Sequence, residues 1–278
     1  MKFRLLGLFA LVCALGIIVW NKPETTHSQT RKSTLTLSQA EQDLLTEINQ
    51  ARANPQLYAG YLEKLKPRFK GKQYTTETLD VETQEGWSAV EDAISFMRVA
   101  KPTGPLSASD GLYFAASSHV KDQSASGATG HAGADKMMIE ERVKPFGSWQ
   151  GDIGENLTYG NESARERLLT WLIDDGFANR NHRKRVMGSN YKVAGISCGP
   201  HPEYGSMCVL ALAGGFTDSA VKPAGGAMKS GTAVKNEPPK ATLSVNSSAN
   251  TSNNTSVKSS NGNTTNANKT NKNKPRKF

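Results

Sequence analysis

Two histidines and three carboxylates stand where the chain is expected to turn. His131 lies in ATGHAGADKMM, between Gly130 and Gly133. Glu155 follows Gly154 in GEN, Asp174 and Asp175 close an apolar run just before Gly176, and His182 sits in the basic stretch NRNHRKR. Loops and element ends can bring side chains from distant stretches to one point. Two imidazoles with two carboxylates suit a borderline divalent ion such as zinc. The same set suits acid–base work, because a carboxylate fixes the orientation and tautomer of an imidazole. The spacings follow no short metal motif, so the competing reading is a set of separate turns with hydrogen-bonding histidines.

Three other residues are weighed and set aside. GISCG at 195–199 matches the G-x-S-x-G nucleophile pattern. That mechanism needs a strand-to-helix turn, and Cys-Gly-Pro-His-Pro after Ser197 cannot start a helix. His119 falls on a helical face and reads as a packed or surface histidine. His201, in GPHPEYG, reads as part of a rigid exposed hairpin tip.

The elements that must position these residues follow from periodicity. Ser38 with Glu41 is a capping box opening a helix whose apolar residues are Leu44, Leu45, Ile48 and Ala51. Pro55 is expected to end or bend it near Asn54. Residues 66–86 read as a polar loop. Further helices are expected over Trp87–Val99, over SASDGLYFAASSHVKDQ, briefly over Asp135–Arg142, and over ESARERLLTWLIDD with Gly176 as its stop. NRNHRKR reads as a turn. YKVAGISC and SMCVLALAGGF read as two strands of a hairpin.

Residues 1–20 have a basic start, Lys2 and Arg4, then an uncharged apolar run from Leu5 to Trp20. That run is short for a spanning helix and fits a secretory leader. No clean cleavage site follows, so a membrane anchor through residues 5–20 stays open. Either way the chain is expected outside the cytoplasm: secreted, extracellular or periplasmic. Residues 21–36 read as a linker and 37–217 as the folded domain. In an exported protein Cys198 and Cys208 read as one disulfide, against two buried free thiols. The net charge of +9 is concentrated in residues 218–278, which carry ten lysines and arginines against two acids. This Ser-, Asn-, Thr- and Lys-rich tail has too little apolar content to form a core and reads as disordered. Its basicity suits anionic surfaces. It lacks the interleaved aromatics that stack on bases, so no nucleic-acid partner is expected.

The ordered set LLTEINQARANP, ATGHAG, GENL, WLIDDGFANRNHR and the MCV-containing last strand resembles the CAP superfamily of cysteine-rich secretory, antigen 5 and pathogenesis-related 1 proteins. The likeness is strongest to its bacterial, SCP-like extracellular branch and covers most of residues 40–217. It implies an α+β fold, an α-β-α sandwich with a mainly antiparallel central sheet, so further strands must lie within 100–160. It implies a cavity with His131 and His182 as candidate metal ligands. Glu155 and either Asp174 or Asp175 would be the supporting acids. Two functions follow. The first, which is preferred, is a binding module for a lipid, a peptide or an envelope component. The second is a hydrolase, a peptidase in which Glu155 or Asp174 acts as general base on a water held by the histidines, with or without zinc.

Overall fold

The computed structural model describes residues 35–219. The leader or anchor, most of the linker and the tail from 220 onward lie outside the described residues. Helix α1, Gln39–Ala53, opens on the expected capping box, with Ser38 N–H donating to Glu41 Oε2 at 2.7 Å. The other Glu41 oxygen accepts Cys198 N–H at 2.9 Å, so the cap also ties α1 to a strand far along the chain. Helix α2, Pro55–Glu63, starts at the expected proline, which lacks the N–H that a first-turn residue leaves unpaired.

Residues 66–86 are more than a loop. A 3-10 turn leads into a small antiparallel sheet of β1 (Phe69–Lys70), β2 (Gln73–Thr75) and β3 (Asp80–Glu82). Arg68 fastens this sheet to Glu166 through both guanidinium NH2 groups, at 3.0 and 3.1 Å. Helix α3, Trp87–Val99, follows as expected.

The main sheet has the order β4-β6-β7-β5, with β4 (Ser107–Ala108), β5 (Gly147–Tyr159), β6 (Val193–His201) and β7 (Gly205–Asp218). Only the short β4–β6 pair is parallel. The expected hairpin is β6–β7, and the hidden strands are β4 and β5. Side chains alternate across a strand, and β7 shows what that does here. Leu210 and Leu212 join the core under α1, α2, α3 and α6 (Ala164–Ile173), whereas Val209 and Ala211 join the core under α4 (Asp110–Ser126) and α5 (Ile139–Arg142). Helices therefore cover both faces, and the α-β-α sandwich is the observed architecture. Gly195 explains how closely α4 approaches: a Cβ there would overlap the backbone of Leu112 and Tyr113. Cys198 and Cys208 face each other in the β6–β7 register and are disulfide-bonded.

Several boundaries differ from expectation. Helix α5 begins at Ile139, four residues later than read from the sequence. Helix α6 stops before Gly176, at Asp174, which takes the left-handed conformation at φ 55°; Asp tolerates that region better than most side chains. The basic stretch is a helix, α7, Asn181–Met187. Two of the stretch's four charges have tertiary partners: Arg180, just before the helix, pairs with Glu85 and Asp92, and Arg183 with Asp92. Asp218, placed in the tail by composition, ends β7 and accepts from Gly111 N–H (2.7 Å) and the Ser109 hydroxyl (3.0 Å) at the start of α4.

Candidate functional site

The edge strand β5 places Glu155 mid-strand, opposite Ala211, and not at a turn. Its side chain points to the α4/α5 layer, the same side as Leu157 and Tyr159. There it meets His131, whose Nδ1 lies 2.9 Å from Glu155 Oε1. The second carboxylate oxygen is held by Arg142 Nη2, and Arg142 Nη1 donates to the carbonyls of His131 (2.8 Å) and Met137 (2.7 Å). Burial by itself would raise the Glu155 pKa. The hydrogen bond from His131 and the charge of Arg142 outweigh it and hold the carboxyl below its usual range.

The second histidine comes from the other layer. Asp174 Oδ1 lies 2.6 Å from His182 Nδ1, and Oδ2 accepts the backbone N–H groups of His182 (2.8 Å) and Arg183 (3.1 Å). One carboxylate thus both starts α7 and aligns its imidazole. Asn156, on the opposite face of β5 from Glu155, donates to the His182 carbonyl at 3.0 Å. Because β5 is an edge strand, the two layers meet past it. The rings of His131 and His182 are nearly parallel, 16° apart, with centroids at 6.3 Å. Phe177 packs edge-on against His182 at 4.9 Å.

Asp175 does not join this group. Its two oxygens accept the N–H groups of Gln84 (2.7 Å) and Glu85 (2.9 Å) ahead of α3. Of the two adjacent aspartates, Asp174 is the one at the histidines.

The loop carrying His131 is held by buried side chains that spacing alone did not reveal. Gly130 has φ +97° with open space around it, so glycine is required there for the turn and not for clearance. The Gly130 carbonyl accepts from His119 Nε2 (2.9 Å) and Gln123 Nε2 (2.6 Å), and its N–H donates to the Tyr159 hydroxyl (2.9 Å). His201 is buried, not exposed at a tip. It donates from Nε2 to the Ala128 carbonyl at 3.0 Å and packs edge-on against Tyr159. Burial pushes the Tyr159 hydroxyl pKa up to about 12, so it stays a neutral hydroxyl able to accept from Gly130 and donate to Gln123. Ser197 is buried within β6, away from any turn.

The tautomers follow from the partners. An ionised carboxylate only accepts, so each Nδ1 carries the proton and each Nε2 keeps a lone pair when the ring is neutral. A carboxylate behind Nδ1 is the arrangement that metal-ligating histidines use. Among the described residues, however, no group of three His, Cys, Asp or Glu is placed to hold a metal ion. Catalytic zinc uses three protein ligands and structural zinc four. Two imidazoles are fewer ligands than either kind of zinc site uses, and the acids stand behind them, turned to the Nδ1 atoms. The His131 side chain is 36% exposed and that of His182 is 7% exposed, while those of Glu155 and Asp174 are 2% and 0%.

With this geometry established, similarity to other proteins can be placed on it. The family model for the cysteine-rich secretory protein family, CAP, matches residues 45–212, more than half of the sequence. The chain belongs to the CAP family. The CAP chain is similar to an extracellular protein containing an SCP domain from Bacillus anthracis, at 16% identity and a TM-score of 0.34, covering 45% of this chain and 38% of that one. It is similar to an outer surface protein from Borrelia burgdorferi, at 14% identity and a TM-score of 0.35, covering 40% and 78%. A cysteine-rich secretory protein from Staphylococcus aureus matches at 13% identity and a TM-score of 0.29, covering 45% and 37%. The CAP chain thus spans well under half the length of the Bacillus and Staphylococcus proteins. The sequence has no significant match among curated proteins. No helix among the described residues is long and apolar enough to cross a membrane.

Proposed function

We propose that this CAP domain is an exported binding module whose His131–His182 pair takes up a divalent ion through the two Nε2 atoms. The ion would present its open positions to a lipid, peptide or envelope ligand. The observation that carries this reading is the matched pair of carboxylate–imidazole contacts, Glu155 to His131 and Asp174 to His182. Such contacts orient a ring and raise its basicity toward a ligand on the far nitrogen. A bound ion would supply Lewis acidity to the ligand's oxygen atoms. The carboxylates favour binding over hydrolysis. Both oxygens of Glu155 and of Asp174 already have hydrogen-bond partners, so neither is free to act as general base. The basic tail, with its surplus of lysine and arginine, would hold the domain near anionic surfaces.

The test is calorimetric titration of the full chain with Zn2+, beside the His131→Ala/His182→Ala double variant. Saturable binding lost in the double variant supports the reading. Equal binding by the variant rules out the pair as the site. Peptidase activity that disappears in Glu155→Gln would favour the hydrolase reading instead.

A further inference from the structure

A second concavity lies outside the histidine pair. It is a groove of about 330 Å3 between α4 and α5, whose lining includes Asp122, Asp135 and Glu141. Each of these carboxylates is pinned by one backbone N–H: Asp122 by Ala134 (2.9 Å), Asp135 by Met137 (2.9 Å) and Glu141 by Met138 (3.2 Å). None of the three forms an ion pair among the described residues. The one cation in the lining, Arg142, is committed to Glu155. Lys121, Lys136 and Lys144 belong to the same segment but do not line the groove.

Two buried atoms of residues in the lining lack partners. His119 is fully buried, and its Nε2–H donates to Gly130, which leaves Nδ1 as an unused acceptor. Arg142 Nε is an unused donor. Buried polar atoms without partners are uncommon, and these two belong to residues lining one groove with opposite demands. A metal ion could meet the His119 lone pair but not the Arg142 N–H, and no three of the acids are close enough to hold one. A peptide backbone carries the complement of each, an N–H for His119 and a carbonyl for Arg142, once side chains of the lining shift to open these buried atoms to the groove. A lysine on that peptide would place its ammonium among the three carboxylates and its aliphatic stem on Met137 and Phe146, since such stems pack on apolar surface while the head stays polar.

We propose that the groove between α4 and α5 binds a lysine-bearing peptide segment of a partner protein. This site is separate from the histidine pair and does not depend on its reading. The experiment is an amide-resolved NMR titration of the full chain with pentalysine. Saturable shifts are expected at Ala134, Met137 and Met138, whose N–H groups touch the three carboxylates. Combining Asp122→Asn, Asp135→Asn and Glu141→Gln keeps an acceptor at each position and should weaken binding by roughly tenfold or more. Acetylating the lysines should abolish binding. An unchanged affinity in the triple variant, equal binding of the acetylated peptide, or no shift at those amides up to millimolar peptide would each overturn the proposal.

Discussion

Arg142 holds both ends of the His131 contact: one Nη bonds the Glu155 carboxylate that faces the imidazole, and the other bonds the His131 carbonyl. The arginine and the carboxylate are both nearly buried, with side chains 6% and 2% exposed. Removing one partner of such a pair leaves the other charged and desolvated.

Arg142→Ala is therefore expected to lower stability by about 3–5 kcal/mol, the range for breaking a buried pair. Arg142→Lys keeps the charge but cannot reproduce the fork geometry, and its loss should be smaller. Urea unfolding monitored by tryptophan fluorescence measures both. A loss below about 1 kcal/mol for the alanine variant, within the range of exposed pairs, would contradict the buried pairing.

Acid should destabilise the fold in two stages. The His119 pKa is lowered from its ordinary 6.5, because burial outweighs the raising effects of Glu155, Asp122 and the Gly130 carbonyl. The unfolded chain then binds a proton below pH 6.5 that the folded chain refuses, so stability falls as pH drops below 6.5. The loss levels off once pH passes the lower folded value. Glu155, lowered from 4.5, contributes fully above pH 4.5 and loses that contribution as pH falls through its folded value. Each group adds at most about 1.4 kcal/mol per pH unit. His119→Gln keeps an N–H for Gly130 and should flatten the upper stage only. Glu155→Gln should make the lower one shallower, leaving the part that Glu85 and Asp92 add, whose carboxyls Arg180 also holds below their usual range. Unfolding free energies from pH 3 to 8 separate the stages, and an unchanged upper slope in His119→Gln would remove His119 from the account.

What could be read from the sequence was local. The capping box at Ser38, the proline at 55 and the alternation in VLALA are decided within a few residues, and α1, α2 and β7 follow them. Strand β5 was hidden because Gly147, Gly151 and Gly154 read as turns. At an edge strand they are tolerated, with a register irregularity between Gln150 and Ile153. Helix α7 was hidden because Arg180 at its cap and Arg183 within it find their acid near residue 90, a pairing no local pattern shows. The site divides the same way. The histidines and acids were recognisable by type and by the family resemblance. Arg142, His119, Gln123 and Tyr159, which fix the His131 loop, act through contacts that only the folded layers create.

Arg52 offers the sharpest test of how the layers are locked. Its side chain is buried and has no carboxylate partner among the described residues. Instead it donates to the carbonyls of Gly104 (2.8 Å), Val186 (2.7 Å), Gly188 (3.0 Å) and Tyr191 (3.0 Å), and to the Thr103 hydroxyl at 3.0 Å. One residue of α1 thereby satisfies the end of α7 and the turn that leads into β6. Burial lowers its pKa, but guanidinium stays protonated in proteins. Each acceptor left unsatisfied and buried costs about 1–3 kcal/mol, and several would be orphaned at once. Arg52→Ala is therefore expected to abolish cooperative unfolding. Arg52→Lys, which offers three donors from a single point, should fold with reduced stability. Because α7 carries His182, hydrogen exchange in Arg52→Lys should speed first at the amides of 182–187. Uniform exchange across the domain would instead assign Arg52 to global stability alone.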